Sequence, residues 1–268
     1  MIDTSAPIGV FDSGVGGLTV LQAICKALPQ ECLLYIADSG HTPYGDKSLE
    51  YIQQRALILT RFLLDQGAKA VVIASNTTTA ASADLLRSTF PVPIVAVEPA
   101  LKLAATSTRT GVVGVLVTVV TSQSTRFAAL LERFRQDIKV VIQPAPGLVE
   151  QIERGDLTSS TTCALIERYV RPLLSAGADT IVLGSTHYPH LRPLIAEIAG
   201  PEVTLIDTGE AVAQQVRRVL EARALLSEGS APGTVQFWTS SDRQLAQHII
   251  SLLWGIAVGV QQLPDVLL

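Results

Sequence analysis

Charge is scarce in this chain and carries no strong sign. Only 16% of its 268 residues are charged, and 20 basic against 24 acidic residues leave a formal net charge of −4. That balance lacks the cationic footprint of a nucleic-acid binder. Aromatic residues, at 5%, are too few for base-stacking platforms. Cysteine is rarer still: Cys25, Cys32 and Cys163 form an odd set without metal-ligand spacing, which argues against a disulfide scaffold and a thiolate metal site alike. We read them as buried small apolar residues in a reducing compartment and expect a cytoplasmic protein. No apolar run reaches the roughly 18 residues needed to cross a bilayer. The opening Met-Ile-Asp-Thr-Ser-Ala-Pro has no basic region followed by an apolar core, so no secretion signal is expected. Apolar residues make up 48% of the chain, too many for disorder. The length suits two modest domains or one large one.

What the chain does contain is a repeat of itself. Residues 67–77 run from Gly67-Ala68 through an apolar stretch to Ala74-Ser75-Asn76-Thr77, and residues 177–187 run from Gly177-Ala178 to Gly184-Ser185-Thr186-His187. Gly9-Val10-Phe11-Asp12 is echoed in the same way by Gly114-Val115-Leu116-Val117-Thr118. One copy per half predicts two related α/β domains facing each other. A centre between them receives matched groups from both sides, which suits chemistry on opposite faces of one small molecule.

Short β-rich runs alternate with helical patterns. Strands are expected at 8–11, 33–37, 70–74, 94–97, 112–117, 140–142 and 180–183. A helix over 48–66 follows from Ile52, Ala56, Leu59 and Leu63, with Gly67 closing it. Leu165, Tyr169 and Leu173 form the corresponding stripe before Gly177. Strands separated by helices of this length make parallel sheets, whose carboxyl-end turns bind ligands. A final strand from Val235 and a capped helix to about Trp254 return to the first domain, giving domains of 1–98 plus 211–268 and of 99–210.

Four turns could carry chemistry. Asp12-Ser13-Gly14-Val15-Gly16-Gly17 is not a dinucleotide loop, because Thr19 stands where the third glycine belongs. It reads either as a base helper or ammonium binder on a turn that lets a ligand approach, or as a helix start capped by Asp12 and Ser13. Pro43-Tyr44-Gly45 marks a rigid turn. Ser75-Asn76-Thr77 and Ser185-Thr186-His187 sit where buried strands turn into helices. Each is either a simple cap or part of a carboxylate site. A hydrolase nucleophile at Ser185 is disfavoured, since Gly184-Ser185-Thr186 lacks the elbow pattern and His187 cannot readily reach so near a neighbour.

Together, the run from Gly9 to Leu18, Pro43-Tyr44-Gly45, Asn76-Thr77 and Thr186-His187-Tyr188-Pro189 resemble the glutamate racemases of the cofactor-independent Asp/Glu racemase superfamily. The resemblance spans nearly the whole chain. It implies two pseudo-symmetric α/β domains, each a mostly parallel sheet flanked by helices, with the active site between them. It also implies interconversion of L- and D-glutamate to supply peptidoglycan synthesis, with no cofactor and no metal, in a homodimer. By that resemblance Asp12, Ser13, Tyr44, Gly45, Asn76, Thr77, Thr118, Thr121, Thr186 and His187 bind substrate. Asp12 and His187 also assist the bases, and Glu153 matches a further family carboxylate, with Glu150 as the fallback. Aspartate remains the rival substrate.

The departure lies at the centre of the mechanism. The family places a cysteine on each face of the substrate Cα; here those positions are Ser75 and Ser185. A thiol, with a reference pKa of about 8.5, can be brought to thiolate near neutrality, whereas a serine hydroxyl is far less acidic. Loss of one positioned acid or base costs roughly 10²- to 10⁴-fold in rate. The resemblance therefore implies retained binding with severely impaired turnover, or else a non-catalytic amino-acid binder. Deliberate isosteric replacement and natural loss both fit the two serines. The second gains weight because Ala145 replaces a family cysteine and Val117, Val119 and Val120 crowd a stretch that is smaller elsewhere.

Overall fold

A computed structural model describes residues 3–134 and 136–267. The opening Met1-Ile2 and the closing Leu268, which belong to the expected first domain, lie outside the described residues. The chain alternates strand and helix through two parallel sheets. The first sheet opens with β1 (Ile8–Asp12), β2 (Leu33–Ala37), β3 (Ala70–Ile73) and β4 (Ile94–Ala96). The second holds β5 (Val112–Val117), β6 (Lys139–Pro144), β7 (Thr180–Leu183) and β8 (Thr204–Ile206). The chain then rejoins the first sheet with β9 (Val235–Thr239) and β10 (Val260–Gln262). Between the strands run α1 (Leu18–Ala27), α2 (Leu49–Asp65), α3 (Asn76–Thr89), α4 (Leu101–Ser107), α5 (Val119–Gln123), α6 (Thr125–Glu132), α7 (Leu148–Glu153), α8 (Ser160–Ser175), α9 (Arg192–Ala199), α10 (Gly209–Ala222) and α11 (Arg243–Trp254).

The strand orders are β10-β9-β2-β1-β3-β4 and β6-β5-β7-β8. The first four strands of each half therefore follow one plan, with β5 standing for β1 and β7 for β3. The likeness reaches individual atoms. A Cβ added to Gly9 would lie 2.8 Å from Leu63, and one added to Gly114 would lie 2.9 Å from Leu173. Both leucines belong to the helix that precedes the repeated Gly-Ala pair. Both helices end alike, on Gly67 and Gly177 with φ of +85° and +89°. In each, the following alanine amide donates back to the leucine carbonyl, Ala68 to Leu63 at 3.0 Å and Ala178 to Leu173 at 3.1 Å. This is the closing geometry for which glycine is the low-cost residue.

Side chains alternate across each strand and so feed different cores. Ile8, Val10, Leu33, Tyr35, Ala70 and Val72 join a large cluster that also takes in Leu116, Ile181 and Leu183 of the second sheet. Phe11, Leu34, Ile36, Val71 and Ile73 face a smaller cluster under α2 and α3. Val113, Val115, Val117 and Val182 form the outer cluster of the second sheet. One apolar core is thus shared by both halves.

Several expectations need correction. The three cysteines are free but half-buried rather than buried. On α8 the stripe turns by one position, so that Ile166 is buried and Leu165 only half so. Asp12 and Ser13 do not cap α1, whose N-cap is Gly17 without a side-chain bond. Ser185 does not open a helix directly; a 3-10 turn (Tyr188–Leu191) intervenes before α9. The short edge strands β8 and β10 were not expected, because neither carries an apolar run. The return of the chain to the first sheet, with Asp242 accepting the Leu245 amide at 2.8 Å to start α11, agrees with the sequence reading.

Candidate active site

At the carboxyl ends of β1, β3, β5 and β7 the turns converge on one cavity. It offers about 90 Å³ to water-sized molecules. A single water needs roughly 10–15 Å³ on that measure, so the space suits a ligand of several non-hydrogen atoms. Ser75 borders it from the end of β3 and Ser185 from the end of β7, the equivalent places in the two sheets. Asp12, Ser13, Tyr44, Gly45, Asn76, Thr77, Thr118, Thr186 and His187 border it too. Two expected residues do not. Thr121 lies behind the wall, accepting a bond from the Thr118 hydroxyl at 2.9 Å. Glu153 is held one layer back, while the fallback Glu150 lines the cavity.

Asp12 is fully buried and richly bonded. Its carboxylate accepts the Ser13 amide at 2.7 Å, the Gly17 amide at 2.5 Å and the Thr186 hydroxyl at 3.2 Å. Burial pushes its carboxyl up, against the pull of the neighbouring His187. His187 is itself 3% exposed. Burial disfavours its charged form, yet the Glu153 hydrogen bond and the Asp12 charge carry it above the ordinary histidine range. The imidazole Nε2 lies 2.6 Å from Glu153 Oε1. Glu153 also accepts the Val15 amide at 2.7 Å and the Ser39 hydroxyl at 2.9 Å. It therefore ties α7 of the second sheet to two turns of the first while orienting His187.

The glycines of the first turn serve a purpose that the sequence did not disclose. A Cβ on Gly14 would lie 1.8 Å from Glu153 Oε1, and one on Gly16 would lie 2.2 Å from His187 Nδ1. The close approach that these glycines permit is that of Glu153 and His187, not of a ligand.

Ser75 caps α3, accepting the Thr78 amide at 3.2 Å. The simple cap reading is thus realised, and the same hydroxyl still borders the cavity. Beside it Asn76 is 7% exposed, and neither atom of its amide has a protein partner. A buried amide left open in this way is ready for a ligand. Ser185 receives the His187 amide at 3.4 Å, while the His187 ring turns to Glu153. No serine–histidine nucleophile pair forms, in line with the doubt raised by the sequence. Ala145 also borders the cavity. All three positions at which the family resemblance expects sulfur therefore face this space without it, and none of the three cysteines lines it.

The sequence reading missed Thr42, Pro146, Gly147 and Val149 among the lining residues. Thr42 donates to the Ser13 carbonyl and locks two turns together. The Pro144-Ala145-Pro146-Gly147 punctuation after β6 was a visible signal for the other three. Among the described residues no group of three or more His, Cys, Asp or Glu side chains is placed to hold a metal ion, and no helix is long and apolar enough to cross a membrane.

Comparison with known proteins agrees with this geometry. Residues 8–216 match the family model described as Asp/Glu/hydantoin racemase. Glutamate racemase of Pseudomonas aeruginosa is 55% identical over 260 residues, covering 97% of this chain and 98% of its own. A glutamate racemase isoform of Bacillus anthracis superposes with a TM-score of 0.89 at 31% identity, over 98% of both chains. The Escherichia coli enzyme, solved with L-glutamate and the activator UDP-MurNAc-ala, gives 0.84 at 27% identity over 96% of this chain and 98% of its own. With its two parallel sheets and helices built to the same plan, the chain belongs to the Asp/Glu/hydantoin racemase family of amino-acid isomerases.

Proposed function

We propose that this chain is a glutamate racemase in fold and substrate recognition whose two-base chemistry is severely impaired. The observation that carries the reading is one cavity bordered by Ser75 and Ser185 from equivalent strand ends of two sheets. Substrate Cα lies between the two hydroxyls. Asp12 meets the ammonium group, and the open Asn76 amide with the first amides of α3 meets a carboxylate. Ser13, Tyr44, Gly45, Thr77, Thr118 and Thr186 complete the contacts, and Thr121 acts through Thr118. His187, held by Glu153 and drawn toward its charged form, stands on the Ser185 side as the acid that assists exchange there; Asp12 serves the Ser75 side. A serine hydroxyl is far less acidic than a thiol, and the two here accept backbone amides, Ser75 from Thr78 and Ser185 from His187, so neither is readily drawn to its anion.

The rest of the assignment follows the family resemblance. The two sheets correspond to domains of 1–98 plus 211–268 and of 99–210, supported by α10 packing along α1 of the first sheet. By that resemblance the family reaction needs no cofactor and no metal, takes place in the cytoplasm, supplies D-glutamate for peptidoglycan and hence cell shape, and runs in a homodimer; this chain contributes to that supply only as far as its impaired turnover allows.

A second reading, a non-catalytic glutamate binder, is favoured by the absence of sulfur at all three expected positions around the cavity. One experiment separates the two. The parent chain and the double variant Ser75→Cys, Ser185→Cys are given L-glutamate and, separately, L-aspartate, and chiral chromatography follows the products. We expect tight L-glutamate binding by both chains and D-glutamate only from the variant, at least about 10²-fold faster than from the parent. Binding without turnover by the variant supports the binder. Turnover of aspartate alone overturns the substrate, and no binding of either amino acid overturns both readings.

A further inference from the structure

Behind the turn that carries Tyr44 lies a buried polar chain outside the cavity. Asp38, at the end of β2, is fully buried. Its carboxylate accepts the Tyr44 hydroxyl at 2.5 Å, Arg55 Nε at 3.0 Å and Arg55 Nη2 at 2.6 Å. Arg55 belongs to α2 and is 5% exposed. Its remaining nitrogen, Nη1, donates to the Leu267 carbonyl at 2.6 Å, so the segment after β10 is tied to the same guanidinium. Tyr44 lines the cavity; Asp38, Arg55 and Leu267 do not.

We propose that Arg55 is a positioning residue for the ligand site, fixing the Tyr44–Gly45 wall of the cavity through the Asp38 carboxylate. The turn is fastened on one flank by Thr42 donating to the Ser13 carbonyl and packs on α3 and α5, and the Tyr44 phenol holds its other flank. Tyr44–Asp46 is a single 3-10 turn without a side-chain cap, closed by the Lys47 amide on the Tyr44 carbonyl at 3.1 Å. The phenol is the anchor, and the anchor is only as fixed as its acceptor. A carboxylate gripped at both oxygens by a planar guanidinium has one orientation. A lysine at position 55 keeps the positive charge but supplies a single point donor on a flexible stem. Asp38 then turns, Tyr44 follows, and the wall against which a ligand rests shifts.

The inference rests on the glutamate-binding reading, so the test has an arm that does not need glutamate. Hydrogen–deuterium exchange compares the parent with Arg55→Lys, and calorimetry compares their L-glutamate affinity. We expect faster exchange confined to residues 42–46, unchanged exchange in β1 and β3, and a Kd raised about tenfold, the size of one lost or strained hydrogen bond. Exchange and affinity equal to the parent's overturn the proposal. So does faster exchange spread over the whole chain, which is the mark of a merely structural arginine. Should Arg55→Lys not fold, Tyr44→Phe cuts the same chain at its other end by one hydroxyl and must loosen residues 42–46 alike. A parent that binds no glutamate sinks the substrate assignment, and the exchange arm still decides the role of Arg55.

Discussion

His187 owes both its place and its charge to residues far away in the chain. Gly16 leaves the space its ring occupies, and Glu153 supplies the bond that opposes the cost of burying an imidazolium. Because the folded histidine titrates above its unfolded value, its contribution to stability is fully present below about pH 6.5. That contribution is lost as pH rises through the folded pKa. Removal of the Glu153 charge in Glu153→Gln must therefore lower the His187 midpoint followed by NMR. The stability deficit of this variant in denaturant titrations should be largest below about pH 6.5 and shrink as pH rises through the folded His187 pKa; a deficit independent of pH contradicts the linkage. Little of this pairing was legible in advance. The motifs named Asp12, Ser75, Ser185 and His187 because each stands at a strand end, a position that alternating apolar runs reveal. Glu153 was named through the family resemblance alone; its bonds to His187, 34 residues on, and to Val15, 138 residues back, and the reason for Gly14 and Gly16, depend on tertiary packing, and no local pattern records such a contact.

The repeated unit of this fold is a strand glycine pressed under a helix leucine, Gly9 with Leu63 and Gly114 with Leu173. Both leucines are fully buried, so Leu63→Ala and Leu173→Ala should each cost about 2–5 kcal/mol by urea unfolding, the usual range for a buried leucine reduced to alanine. Similar values are expected because the two sites share one geometry. A loss below about 1 kcal/mol at one of them would show that the echo ends at the sequence. At this scale the sequence was informative: central strands buried on both faces read as continuous apolar runs, and the Gly-Ala lead-ins marked the helix ends. The edge strands escaped notice. Thr204–Ile206 and Val260–Gln262 each bury a single residue, so neither has the composition of an interior strand.

Across the molecule, one apolar cluster runs from Ile8 and Val10 to Ile181 and Leu183, with Glu153 bonded to Val15 and Thr186 to Asp12 between the two halves. Halves joined through a common core lose their stability together. Calorimetry should record one thermal transition whose calorimetric and van't Hoff enthalpies agree; two resolved transitions would mean that the shared cluster contributes little. The arrangement of sulfur has a consequence of a different kind. Thiols are what peroxides and alkylating reagents attack in a protein, and this cavity presents none. Of the three cysteines placed elsewhere, Cys25 is pushed up to about 11 by burial and is protonated at neutral pH. The proposed glutamate site of this chain therefore offers no sulfur to oxidants or electrophiles, whereas the paired cysteines implied by the family resemblance would.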